Sequence, residues 1–210
     1  MNIFKRIKDV ASGRIAKSNS LIGNHGMRIN EKLKKYQNPL FEAIVMGTAI
    51  CTMEFLDSVL FDVQDFKHQD GTTYPNPFRA NSDLLDRYNS YEMFKLVVGG
   101  YLALLFSGQY LDSIKDMVDT SQLKNDFFHI YEYNDADKIT FDELFALAQK
   151  DERPSMEMCI YDNIFKRAYK IMPPESAYHM MNFEFLLRNS FYKIFLPGLV
   201  KALEDSPKKK

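Results

Sequence analysis

The chain has 210 residues, 46% hydrophobic and 26% charged, with a formal net charge of −1. That length suits one core with appended arms, and 17 Phe and 12 Tyr supply the bulk to fill it. Two cysteines, Cys51 and Cys159, are too few for a disulfide framework or a cysteine-based zinc knuckle. The charge is unevenly placed. Residues 1–35 hold nine Lys/Arg against two Asp/Glu and Lys208–Lys210 add three more, which leaves residues 36–207 at −11.

Residues 3–16 set Ile3, Phe4, Ile7, Val10, Ala11 and Ile15 along one helical face, with Lys5, Arg6 and Lys8 around it. This pattern predicts a short basic amphipathic helix. "SNSLIGNHG" at 18–26 reads as a linker, and "MRINEKLKKY" as a second, highly charged helical segment. No apolar signal-peptide core or cleavage pattern is present near Met1, so the expected location is cytoplasmic, with peripheral membrane contact through the arm as an alternative.

Asn38-Pro39 is a helix start, an Asn cap followed by Pro at the first helical position. A long helix is expected from Pro39 to about Phe66. "HQDGTTYPNPFRANS" at 68–82 breaks the pattern. Asn89 and Glu92 have capping-box spacing before a mostly apolar helix to about Phe106, in which Gly99-Gly100 implies close packing against another helix. Further helices are expected at about 109–118, 121–131, 141–150, 155–171, 174–195 and 197–204, several opened by Pro154, Pro174 or Pro197. The longest apolar runs, 43–53 and 96–108, fall short of the roughly 20 residues of a membrane span. No alternating strand of five residues and no internal repeat appears. The expectation is an all-α fold of about eight helices: a basic arm and linker at 1–37, a helical core at 38–205 and a basic tail at 206–210.

"FHIYEYNDADKITFDELFAL" at 128–147 resembles the EF-hand helix-loop-helix. With Glu143 as the last loop position, the resemblance implies calcium ligands at Glu132, Asn134, the Lys138 carbonyl, Thr140 and Glu143. Ala136 stands where that family has a third oxygen side chain, and Asp137 where it has Gly. The same residues have a metal-free reading: Thr140 as an N-cap, Glu143 as its capping-box partner, and Ile139 with Leu144 as a hydrophobic staple.

Asp65-x-x-His68 and Asp126-x-x-His129, joined by Glu54 or Glu92, mimic the ligand spacing of di-metal carboxylate bundles, which use Glu where this chain has Asp. Glu175, His179 and Glu184 share a helix, with His179 expected half-buried. Nothing matches a nucleophile elbow, a phosphate-binding loop or a zinc-protease helix. The acidic body disfavours nucleic acid as a partner. Together these features favour a non-catalytic module that binds another protein, without a cofactor. The alternatives are a metal-dependent protein, with calcium at 132–143 or a di-metal site, and a peripheral protein whose Ile3, Phe4, Lys5, Arg6, Ile7 and Lys8 meet an anionic membrane or a partner.

Overall fold

The structure, a computed structural model, describes residues 28–29, 31–36, 38–59, 65–67, 69–80, 87–107, 119–150, 153–175 and 177–204. The expected helices at 3–16 and 109–118 and the tail at 206–210 lie outside them. The described fold is all-α.

Helix α1 (Pro39–Asp57) starts where Asn38-Pro39 places it, the Asn38 side chain accepting from the backbone N–H groups of Leu40 and Phe41 at 3.1 and 3.3 Å. The α-helical span ends at Asp57, Ser58 and Val59 are π-helical, and Phe66, where the helix was expected to end, is in a strand. There β1 (Phe66–Lys67) pairs antiparallel with β2 (Thr73–Tyr74). Gly71 supplies φ +89° in the turn, and Asp70 accepts from the Thr72 N–H. A Gly-containing turn between short extended segments competes with helix continuation because the left-handed backbone costs Gly little. Asn76 ties the hairpin to the end of α1, accepting from Phe78 N–H, donating to the Val59 carbonyl and presenting its own N–H to Asp65. The short α2 (Pro77–Ala80) follows and buries Phe78 among Tyr161, Phe165, Tyr169 and Phe183.

Helix α3 (Arg87–Ser107) is the axis of the body, with every residue from Glu92 to Leu105 buried. The helix already runs from Arg87, ahead of the start expected at Asn89, and Glu92 is one of its buried residues. Around α3 stand α4 (Thr120–Ile130), capped by Asp119, and α5 (Asp135–Gln149). Helix α6 (Arg153–Asn163) widens into a π-helical turn, Ile164–Tyr169, that ends at Lys170 in the left-handed region. Pro154 sits in the first turn of α6 as expected. Pro174 lies ahead of α7 (Ala177–Asn189) instead of inside its first turn.

The break expected at Pro197 is absent. Helix α7 passes through a second π-helical turn, Ser190–Phe195, directly into α8 (Leu196–Glu204). A proline lacks the N–H for the helical ladder and crowds the carbonyl one turn back, and a widened turn just before it relieves both demands. The chain from 28 to 36 also joins the core: Ile29 and Leu33 are buried, and the Tyr36 ring lies 4.9 Å from Phe41.

Gly99 and Gly100 show why α3 tolerates two glycines. A Cβ on Gly99 would come within 3.2 Å of the Tyr133 hydroxyl, and one on Gly100 within 2.4 Å of Ile160 Cδ1. Two neighbours thus press against the backbone of α3 on different sides. Gly100→Ala is expected to destabilise by about 1–3 kcal/mol through overpacking, despite the better helix propensity of Ala. Ile160→Val removes Cδ1 and leaves Cγ1 at an ordinary 3.5 Å, so the double variant should recover part of the loss. Urea denaturation of the full double-mutant cycle measures this coupling, and strict additivity would contradict it.

Candidate functional site

The segment 128–147 starts its second helix earlier than the Thr140 cap expected from its sequence. Helix α5 begins at Asp135, capped by Asn134, whose side chain accepts from the Asp137 N–H at 3.0 Å while Asp137 accepts from the Asn134 N–H at 3.1 Å. That reciprocal pair is a capping box whose cap lies six residues ahead of the expected Thr140. Thr140 is therefore inside the helix, its hydroxyl bonded to the Ala136 carbonyl, and no cap forms there. Ile139 is 61% exposed, so no staple joins it to buried Leu144. Lys138 and Glu143 also lie on α5, with Glu143 exposed.

Glu132 turns away from the others. At φ +54° it closes the α4–α5 turn and accepts from Arg28 through both oxygens (2.9 and 3.0 Å) and from Lys32 (2.6 Å). Burial alone would raise its carboxyl, but Lys32 and Arg28 outweigh that and hold it below the usual carboxylate range. Glu132 is thus held by Arg28 and Lys32, Asn134 caps α5, Thr140 bonds within it, and Glu143 is exposed further along the same helix. Among the described residues no group of three His, Cys, Asp or Glu is placed to hold a metal ion. Asp65 accepts from Asn76, Asp126 from Gln122, and Glu92 is held elsewhere. Residues 3–8 lie outside the description.

Two arrangements were not read from the sequence. The first is a closed ring of four charges inside the body. Lys95 reaches Glu92 at 2.8 Å and Asp137 at 2.7 Å, while Arg167 reaches Glu92 at 2.8 Å and also bonds Asp137. Glu92, Lys95 and Asp137 are buried. Burial would raise the Asp137 carboxyl, but hydrogen bonds from Lys95, Arg167 and the Asn134 N–H overcome it and leave it below the ordinary aspartate range. Beside the ring, a cavity of about 10 Å³ is lined by Lys95, Gly99, Tyr133, Thr140 and Arg167, room for about one water. The Tyr133 hydroxyl donates to the Lys95 carbonyl at 2.7 Å.

The second arrangement is on the surface. Helix α7 buries His179, Phe183 and Leu187 on one side, and on the opposite side Tyr178, Met181 and Phe185 are 40%, 68% and 60% exposed. Their spacing of three and then four residues aligns them in one stripe about 10 Å long. The helix is anchored beneath: Arg188 forms a fork with Glu157 of α6 at 2.7 and 3.1 Å and pairs with Glu184 at 2.6 Å. Burial lowers the affinity of His179 for a proton, an effect that Asp65 partly opposes.

Helix α1 is long and apolar enough by composition to cross a membrane, with a mean hydropathy of 1.4 over Pro39–Leu56, and 67% of that window is buried inside the body. Comparison with protein-family models, curated proteins and solved structures gives no match.

Opening the buried ring leaves charge without its partner. Lys95→Met is expected to cost about 3–5 kcal/mol in urea denaturation. Glu132→Ala, which loses solvent-exposed pairs, should cost only about 0–1 kcal/mol. Equal losses would show that the ring is no more desolvated than the surface.

His179 sets a pH dependence of definite sign. Its folded-state pKa lies below the ordinary 6.5, so its contribution is complete above pH 6.5 and declines as pH falls from there to the folded value, where both states bind the proton. Stability measured from pH 8 to 5 should therefore drop on the acid side, with a shallower slope in His179→Asn. An unchanged slope would assign the effect to other groups.

Proposed function

We propose that the protein is a non-catalytic binding module that recognises another protein through α7. The carrying observation is the stripe of Tyr178, Met181 and Phe185 facing outward from a helix whose other side is locked into the core. Aromatic and Met side chains projecting every three to four residues are the anchors by which a helix enters an apolar groove. Tyr and Phe lose few rotamers on ordering, and Met adapts to an irregular pocket. The partner is a protein that offers a hydrophobic cleft about two helical turns long. Because α7 is already folded and clamped by Arg188, it pays little ordering entropy on docking.

Met181→Glu/Phe185→Glu tests this reading without removing a core residue. The double variant should keep its circular dichroism and melting temperature, while affinity for the partner falls about 10–100-fold, the effect of truncating one or two interfacial anchors. Wild-type and variant chains compared as baits, with quantitative mass spectrometry, give the measurement. Equal recovery of the same protein would refute the assignment of the face.

A further inference from the structure

We propose that the α7 face pairs with itself: two copies of the chain meet through Tyr178, Met181 and Phe185 in a transient antiparallel dimer, which occupies the face until a partner displaces it. This rests on the reading of α7 as the binding face and adds its regulation.

The order of side chains along the helix is self-complementary. Tyr178, Met181, Phe185 and Arg188 follow one another at intervals of three, four and three residues, so they share one side of α7. A two-fold axis perpendicular to the helix, passing midway between Met181 and Phe185, sets each Met181 against Phe185 of the second copy and each Arg188 against Tyr178 of the second copy. Sulfur beside an aromatic ring is a favourable contact, and so is a guanidinium over a tyrosine face. Each contact is made twice, because a two-fold interface uses the same patch on both copies. A parallel pairing would instead set Arg188 against Arg188, like charge on like.

Charge does not oppose the antiparallel contact. The part-exposed Arg188 engages Glu157 and Glu184 through Nε and Nη2, which leaves Nη1 without a partner among the described residues. Glu184, beside the axis, is compensated by Arg188 one turn on. The whole chain carries only −1, so two copies approach without the repulsion that keeps highly charged proteins apart.

Area sets the strength. With about 200 Å² for a fully exposed large side chain, the three exposed fractions amount to roughly 350 Å² per copy and roughly 700 Å² for the pair, short of the roughly 1,200 Å² at which stable interfaces begin. The dimer is therefore transient. A cleft that encloses these side chains covers more of each than a second helix lying across them, so an external partner prevails over the second copy.

NMR of the full chain with isotope-labelled methionine methyl groups reads the contact. Between about 10 μM and about 1 mM protein, the Met181 methyl signal should shift progressively as the Phe185 ring of the second copy approaches it, while that of Met93, buried in α3, stays in place. A mixing experiment identifies both faces. Labelled wild type at about 20 μM receives about 1 mM unlabelled wild type or unlabelled Met181→Glu/Phe185→Glu, and only the wild type should move the Met181 signal. A signal independent of concentration would overturn the proposal. An equal shift from the unlabelled variant would also overturn it, since the stripe would then be landing on another surface of the second copy. The two readings fail separately: a concentration-independent signal together with loss of the partner in Met181→Glu/Phe185→Glu removes the dimer and keeps the binding face. The shift with undiminished partner recovery keeps the dimer and removes the face as the partner's site.

Discussion

The body is organised around charge buried in α3. A helix enclosed on all sides would ordinarily be apolar throughout, yet α3 carries Glu92 and Lys95 one turn apart at positions closed to water. Neither can stay there unless countercharges come from other elements, because an isolated buried ion costs several kcal/mol. Asp137 at the start of α5 and Arg167 on the π-helical turn after α6 meet that demand. Well-packed apolar side chains of the same volume would stabilise as much or more. What the ring adds is position: a rotation or slip of α5 that packed its apolar residues equally well would strand Lys95.

The wide π turn at Ile164–Tyr169 acquires a role in this setting. Widening re-aims the side chains that follow, and here it accompanies the placement of Arg167 between Glu92 and Asp137, with a further contact to Thr140. Gly99 and Gly100 act alongside it by letting Tyr133 and Ile160 approach the axis. Close packing and charge matching therefore operate on the same stretch of α3, within two turns of each other.

The all-α class was legible in the sequence because helical periodicity and start signals agree over most of the chain. Asn38-Pro39 fixed the start of α1, and Gly99-Gly100 correctly implied close helix contact. Misplaced boundaries arose where two local signals competed. Thr140-x-x-Glu143 and Asn134-x-x-Asp137 both have capping spacing, and the earlier pair wins since Asp137 also meets Lys95 and Arg167, a gain that lies far away in sequence. The same holds at Glu92: its spacing to Asn89 was visible, whereas its partner Arg167 is 75 residues distant. Two charges in the apolar run "EMFKLVVGG" were the available clue to the ring. The α7 stripe was harder to see, for apolar residues lie on both sides of that helix in the sequence and only the fold shows that His179, Phe183 and Leu187 are the buried side.

Asp137 joins two levels of organisation in one side chain. Its carboxylate accepts the N–H that opens α5 and also the Lys95 and Arg167 cations that place α5 against α3. Asparagine keeps the size but gives up the charge; glutamate keeps the charge but moves it by a methylene. The local start of a helix and its tertiary address are therefore not separable by substitution, which makes this carboxylate a point where the sequence has little freedom to drift.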